Sequence, residues 1–168
     1  MEFEELIRKR SSTRKFQDKK IEKEKIDKIL EAGRLAPTAK NIQPQVIYII
    51  DSEDGIKKIN EASPCIYGAK TVLLVCGNID IAFTKEDHTT LEVDTSIVTT
   101  HMMLEATNIG VDNIWIDLFD RKKVIELFNL PDNLKPVALL PLGYRTDDCP
   151  ESHGHNTRKS IEELVKYV

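Results

Sequence analysis

Arg10, Ser12 and Arg14 stand at every second position of the stretch Arg10-Ser11-Ser12-Thr13-Arg14-Lys15-Phe16. Side chains two apart on an extended chain point the same way, so the three would share one face. Two guanidinium forks with a hydroxyl between them suit a phosphate dianion better than a neutral ligand. The plainer reading is a solvated basic face, with Arg8, Lys9 and Arg10 complementing the C-terminal end of an amphipathic helix over 3–9. A second polar stretch, Ala36-Pro37-Thr38-Ala39-Lys40-Asn41-Ile42-Gln43-Pro44, is bounded by prolines and runs into the apolar Val46-Ile47-Tyr48-Ile49-Ile50. Taken alone, it is also what a Pro-flanked turn looks like when its polar residues satisfy their own backbone.

Other chemistries find less support. Cys65, Cys76 and Cys149 show no Cys-x-x-Cys spacing and read as reduced, small apolar residues. His153-Gly154-His155 lacks a third ligand at a recognisable spacing, so no metal is expected. The formal charge of −4 argues against general nucleic-acid binding. No apolar run reaches the roughly 20 residues of a membrane helix, and the opening Met1-Glu2-Phe3-Glu4-Glu5 does not resemble a signal peptide. A cytoplasmic protein with no membrane partner is the expectation.

The elements that must position these residues follow from periodicity. A helix is expected over 22–35, with Ile26, Ile29, Leu30 and Ala32 or Gly33 on its apolar face and Pro37 beyond its end. The apolar run 46–50 predicts a strand buried on both sides. Asp51 and Ser52 can cap a helix over 53–62, and 71–76 reads as a second core strand. The longest helix is expected over 88–108. Val93, Ile97, Met103 or Leu104, and Ala106 would form its inward stripe, with Thr and Ser residues on the other side and Gly110 as its C-cap. A third strand over 113–118 holds Trp115, and Asp120 caps a helix over 122–128. Pro141 argues for an edge or terminal position for part of the run 136–142. Ser160 and Glu163 form a capping-box pattern for a helix over 161–167. With 168 residues and 31% charged side chains, the expectation is one α+β or α/β domain spanning 1–168.

Taken together, the Arg-x-Ser-x-Arg-x-Phe opening, the Ala-Pro-Thr-Ala-x-Asn-x-Gln-Pro segment, the long central helix, Leu142-Gly143-Tyr144 and Arg158 resemble the flavin-dependent nitroreductase family over nearly the whole chain. The resemblance implies an α+β fold, with a mixed, mainly antiparallel sheet flanked by helices, in an intertwined homodimer with flavin at the interface. Thr95, Ser96, Thr99 and Thr100 would let a partner approach the central helix closely. Flavin mononucleotide (FMN) is the implied cofactor. Arg10, Ser12 and Arg158 would hold its phosphate, with Ser11 and Gly143 also lining the cofactor site. Arg14 would lie at the pyrimidine edge, where a cation near N1 raises the reduction potential. Pro37, Thr38, Ala39 and Asn41 would reach the ring from the other subunit, and Asp117 and Leu118 would offer backbone N–H groups to N5 and O4.

The implied reaction is ping-pong hydride transfer from NAD(P)H to a nitroaromatic, quinone or similar acceptor, with no nucleophilic side chain. No Gly-x-Gly-x-x-Gly turn provides a separate nicotinamide site. Three features depart from the family pattern. Leu118 stands where many relatives have glycine, Ser63-Pro64-Cys65-Ile66-Tyr67 lacks an expected asparagine and lysine, and the segment 77–88 is short. The first two keep open an FMN-binding carrier or regulator with little turnover, and the short segment leaves substrate size and preference open. A flavin-free interaction module, with Arg10 and Arg14 serving a phosphorylated partner, is the other alternative.

Overall fold

The computed structural model describes residues 1–150, 152 and 154–168. The first half of the chain forms α1 (Phe3–Lys9), α2 (Lys23–Arg34), β1 (Gln45–Ile50), α3 (Glu53–Ala62) and β2 (Thr71–Asn78). Then come β3 (Thr84–Lys85), β4 (His88–Thr89), α4 (Leu91–Asn108), β5 (Asp112–Asn113), α5 (Arg121–Phe128), β6 (Leu134–Gly143) and α6 (Ile161–Leu164). Several boundaries have visible causes. Ser52 Oγ accepts from Gly55 N–H at the start of α3, and Asp120 accepts from Lys123 N–H at the start of α5. Gly110, at φ 75°, takes the left-handed conformation that turns the chain out of α4. Ser160 and Glu163 close the expected capping box, but α6 ends at Leu164 rather than running to Tyr167.

The main sheet has the order β1-β2-β6-β5, with every pair antiparallel. A parallel bridge from Ser12 to Asn113 makes its rim mixed. Alternation along β2 builds both cores. Val72, Leu74 and Cys76 face α3 and α5 with Ile59, Val124 and Leu139. Leu73 and Val75 face α2 and α4 with Ile29, Val98, Met102, Leu140 and Leu142. Each such aliphatic side chain, fully buried, stabilises the fold by roughly 1.5–3 kcal/mol.

Four further expectations change. β1 is the sheet edge, only partly covered, and Ile49 is 45% exposed. Only Asp112 and Asn113 of the expected strand 113–118 belong to a strand; beyond them the chain touches β6 through the single bridge Ile116 to Leu139. β6 lies inside the sheet despite Pro141. Leu139 exchanges hydrogen bonds with Ile116, and Ile114 N–H donates to Pro141 O. Pro141 therefore turns its missing N–H toward the irregular segment, where no regular ladder needs it.

The fourth change is the face of α4. The helix starts at Leu91, because His88–Thr89 pairs with Thr84–Lys85 in a short hairpin. Thr95 and Thr99 are completely buried, while Val93 is 52% exposed. Each buried hydroxyl donates to a carbonyl one turn back, Thr95 to Leu91 and Thr99 to Thr95, at 2.7 Å. A threonine satisfied in this way can face a core. Val93, Ser96, Ile97 and Thr100 instead line an open groove on the outer side of the helix.

Candidate functional site

The segment after α1 is extended and stitched on both sides. Thr13 N–H donates to Asn113 O at 3.0 Å, and Phe16 N–H to Tyr67 O at 3.1 Å. Thr13 and Phe16 are buried, which leaves Ser12 half-covered and Arg14 exposed at the rim. Asn113 is itself fixed, its amide donating to Met103 O and Thr107 Oγ1 near the C-terminal end of α4. The basic segment therefore sits at that end of the helix.

Arg10 is half-buried, and its guanidinium is held below the usual range, first by burial and then by the positive charge of Arg158. Residues from the two ends of the described chain thus come within electrostatic reach of each other. Arg158 is oriented by the carbonyls of Gly154 at 3.0 Å and Thr157 at 2.8 Å. Among the described residues neither arginine forms an ion pair with a carboxylate. Two like charges held together, one of them partly desolvated, make a place for an anion. Close by, His155 donates through Nε2 to Arg8 O at 2.9 Å and lines the same cavity as Arg8 and Arg158. His153 lies outside the described residues.

Arg14 donates to Ser152 Oγ at 3.1 Å and lies beside Tyr67. Burial pushes the Tyr67 phenol up, Cys65 adds to the shift, and Arg14 opposes it. Ser63, completely buried, donates to Leu118 O at 3.0 Å and so ties this corner to the segment 116–119. Among the described residues, the N–H groups of Asp117 and Leu118 donate to no protein acceptor. Leu118 is 75% exposed, and Asp117 pairs with Arg121 at 2.5 Å. Ser11 lines a cavity of about 290 Å³ with Lys9, Asp112 and Arg145, and a smaller one that it shares with Ser152 and His155. Gly143 packs on the core: a Cβ there would come within 2.8 Å of Phe16 Cδ1.

The remaining candidates lie apart. Pro37, Thr38, Ala39 and Asn41 gather at the N-terminal end of α4, where Ala39 N–H donates to Asp94 at 2.9 Å. Between Asp94 and the Met103–Thr107 turn lie roughly 15–20 Å of helix at 1.5 Å per residue. Within one copy of the chain, the loop over 37–41 does not meet the basic rim.

Some residues in these clusters carried no clear sequence signal. Tyr67 and Cys65 follow a helix-stopping Ser63-Pro64 and precede Gly68, a turn pattern that says nothing of their nearness to Arg14. Asp94 falls in the second turn of the helix expected from 88, with nothing to mark it as buried, yet it lies in the first turn of α4 and is 2% exposed.

The sequence profile of the nitroreductase family matches residues 7–65 and 62–144. A nitroreductase family protein from Clostridium difficile 630 of known crystal structure is 42% identical, covers 99% of this chain and 98% of its own, and superposes with a TM-score of 0.93. A protein from Archaeoglobus fulgidus, provisionally named NADH dehydrogenase/NAD(P)H nitroreductase, is 30% identical over 85% of each chain. A provisionally named nitroreductase from Exiguobacterium sibiricum 255-15, solved in complex with FMN, shares the fold at TM-score 0.87 and 22% identity, covering 100% of this chain and 98% of that one.

Proposed function

This chain belongs to the nitroreductase family, and we propose that it acts as one FMN-binding oxidoreductase domain over residues 1–168. It would take hydride from NAD(P)H and pass it to a nitroaromatic, quinone or similar small acceptor in ping-pong turnover. The observation that carries this reading is the pair Arg10 and Arg158, brought together without an acid to neutralise them among the described residues. The residues fit the cofactor: paired guanidiniums suit its phosphate, and the uncommitted N–H groups of Asp117 and Leu118 suit acceptors on the ring edge.

FMN, when bound, supplies two-electron chemistry that no side chain here can perform. The chain's own residues bind and orient. Arg10, Ser12 and Arg158 hold the phosphate, and Arg14, steadied by Ser152, sets a positive charge toward the pyrimidine edge. Gly143 keeps Phe16, and with it the whole basic segment, close against the sheet. Leu118, exposed at the rim, limits how a flat acceptor approaches.

The protein works as a homodimer in this proposal. Two copies of α4 packed antiparallel along the Val93–Ser96–Ile97–Thr100 groove would bring the 37–41 loop of one copy to the basic rim of the other. A two-fold axis forms two such sites at once. Exposed apolar side chains at Phe3, Val93, Ile161, Leu164 and Tyr167 give that partner surface to cover. Among the described residues no helix is long and apolar enough to cross a membrane, and we place the enzyme in the cytoplasm.

The test is an anaerobic absorbance spectrum of the purified protein with FMN, before and after NAD(P)H and then a quinone or nitroaromatic. Bleaching followed by recovery is expected. A protein that takes up no FMN overturns the reading, and bound FMN that NAD(P)H cannot bleach reduces it to a carrier.

A further inference from the structure

The loop over 37–43 holds a conformation its own sequence disfavours. Lys40, Asn41 and Gln43 sit at φ 51°, 56° and 56°, left-handed values that L-residues other than glycine adopt at a cost. Such a backbone persists only where its surroundings over-determine it. Its internal hydrogen bonds, Asn41 N–H to Thr38 O at 2.9 Å, Ile42 N–H to Ala39 O at 3.1 Å and Gln43 N–H to Thr38 Oγ1 at 3.0 Å, would travel with the loop as a unit. Among the described residues, the hydrogen bonds leaving 37–43 end on one group, the Asp94 carboxylate. A further outward contact is Lys40 Nζ over the Phe83 ring at 4.3 Å.

Asp94 is built to hold. It is 2% exposed, takes Ala39 N–H on Oδ1 at 2.9 Å, and takes the Thr90 hydroxyl on Oδ2 at 2.8 Å. It lies in the first turn of α4, where the helix dipole favours an acid. A buried carboxylate is costly without donors, so the loop and the acid hold each other in place. Thr90 N–H also donates to Phe83 O at 2.9 Å, which joins the hairpin β3–β4 to the same anchor.

We infer that Asp94 is a positioning residue for the cofactor, clamping the 37–41 loop in the one conformation that meets the flavin ring of the other copy. This role rests on the FMN-binding homodimer proposed above. The clamp sits on α4, the helix proposed to pair the two copies, so ring contact and dimer geometry share one rigid element.

The test compares wild type, Asp94→Ala and Asp94→Asn by FMN titration, flavin fluorescence, visible circular dichroism of the bound flavin, and melting of the apoprotein. Asp94→Ala should bind FMN about tenfold more weakly, the change a single lost hydrogen bond produces. Its bound flavin should also show altered visible dichroism and raised fluorescence. Asp94→Asn keeps an oxygen for Ala39 N–H and should restore both signals. Should Asp94→Ala fail to fold, Ala39→Pro removes the donor while leaving the acid in place, and should give the same altered flavin signature. If the tested variant melts lower but binds FMN with wild-type affinity and spectra, Asp94 is merely structural and the role is overturned while the FMN site stands. A wild-type protein that takes up no FMN overturns the proposed function, and this role with it.

Discussion

At the C-terminal end of α4, Arg10 and Arg158 lie within electrostatic reach of each other, and neither pairs with a carboxylate among the described residues. At its N-terminal end a buried carboxylate, Asp94, is matched by the donors of Ala39 and Thr90. The first region keeps uncompensated charge, and the second has spent its charge on fixing a loop. A ligand can still improve the basic rim, by supplying the negative charge it lacks. It can do little more for the Asp94 end than touch a surface already set. In the proposed dimer an antiparallel α4 pair faces each kind of region with the other, so one site receives an adaptable anion cradle and a preformed wall.

The sharpest way to break that comparison is to separate the ends. Val93→Asp places a charge, twice by symmetry, in the outer groove of α4. It is expected to yield a monomer by analytical ultracentrifugation and to abolish FMN retention although the basic rim is untouched. A dimer that keeps its FMN would remove α4 pairing from the account.

Between the two ends, Met102 is buried against Gly33, whose added Cβ would come within 2.7 Å of Met102 Cγ. Met102→Ala should cost about 2–5 kcal/mol in urea unfolding, while FMN affinity measured well below the transition stays near wild type. A matched loss of affinity would mean that the middle of the helix transmits to the site.

Arg10→Ala acts on the basic rim alone. Removing a charge-assisted contact worth roughly 1.5–3 kcal/mol should weaken FMN binding about 10- to 150-fold by calorimetry, with the melting temperature of the apoprotein little changed. Unchanged affinity would sink the phosphate assignment.

The smallest effect is expected in a contact that neither region uses. The Tyr144 hydroxyl, followed by the Glu22 backbone and Lys19, lowers the exposed Glu22 carboxyl from 4.5 to about 2. A depressed folded-state value stabilises above the unfolded one, so the contribution is complete above about pH 4.5 and fades as pH falls through about 2. Tyr144→Phe should melt slightly below wild type at pH 6 and converge with it near pH 2. A constant gap would assign the effect to the lost hydrogen bond from Lys25 to the same hydroxyl instead.

Much of this was legible in the residues because it depends on local chemistry. Ser52, Asp120 and Ser160 announced helix starts through side chains that reach their own backbone, and each does so in the structure. Gly110 announced the end of α4 because glycine adopts positive φ without penalty. The alternation of Arg10, Ser12 and Arg14 depended only on an extended chain. The family resemblance rested on the order and spacing of such stretches.

What tertiary structure decided concerns which partner a group finds when several would satisfy it. The hydroxyls of Thr95 and Thr99 bond to α4's own carbonyls, so their polarity did not reveal which face lies inward; of the expected stripe Ala106 is buried, Ile97 and Met103 pack partly against the core, and Val93 turned outward. Pro141 is tolerated within the sheet because its neighbour on that side is irregular. Asp94 has the composition of a solvated acid and becomes a buried anchor only because the 37–43 loop folds over it. The sequence by itself determined the caps, the helices and the basic motif, since each is settled by atoms within a turn or two of chain. The nearness of Arg10 to Arg158, the facing of α4 and the separation of the two candidate clusters belong to the tertiary structure, because burial and long-range electrostatics depend on where distant segments pack.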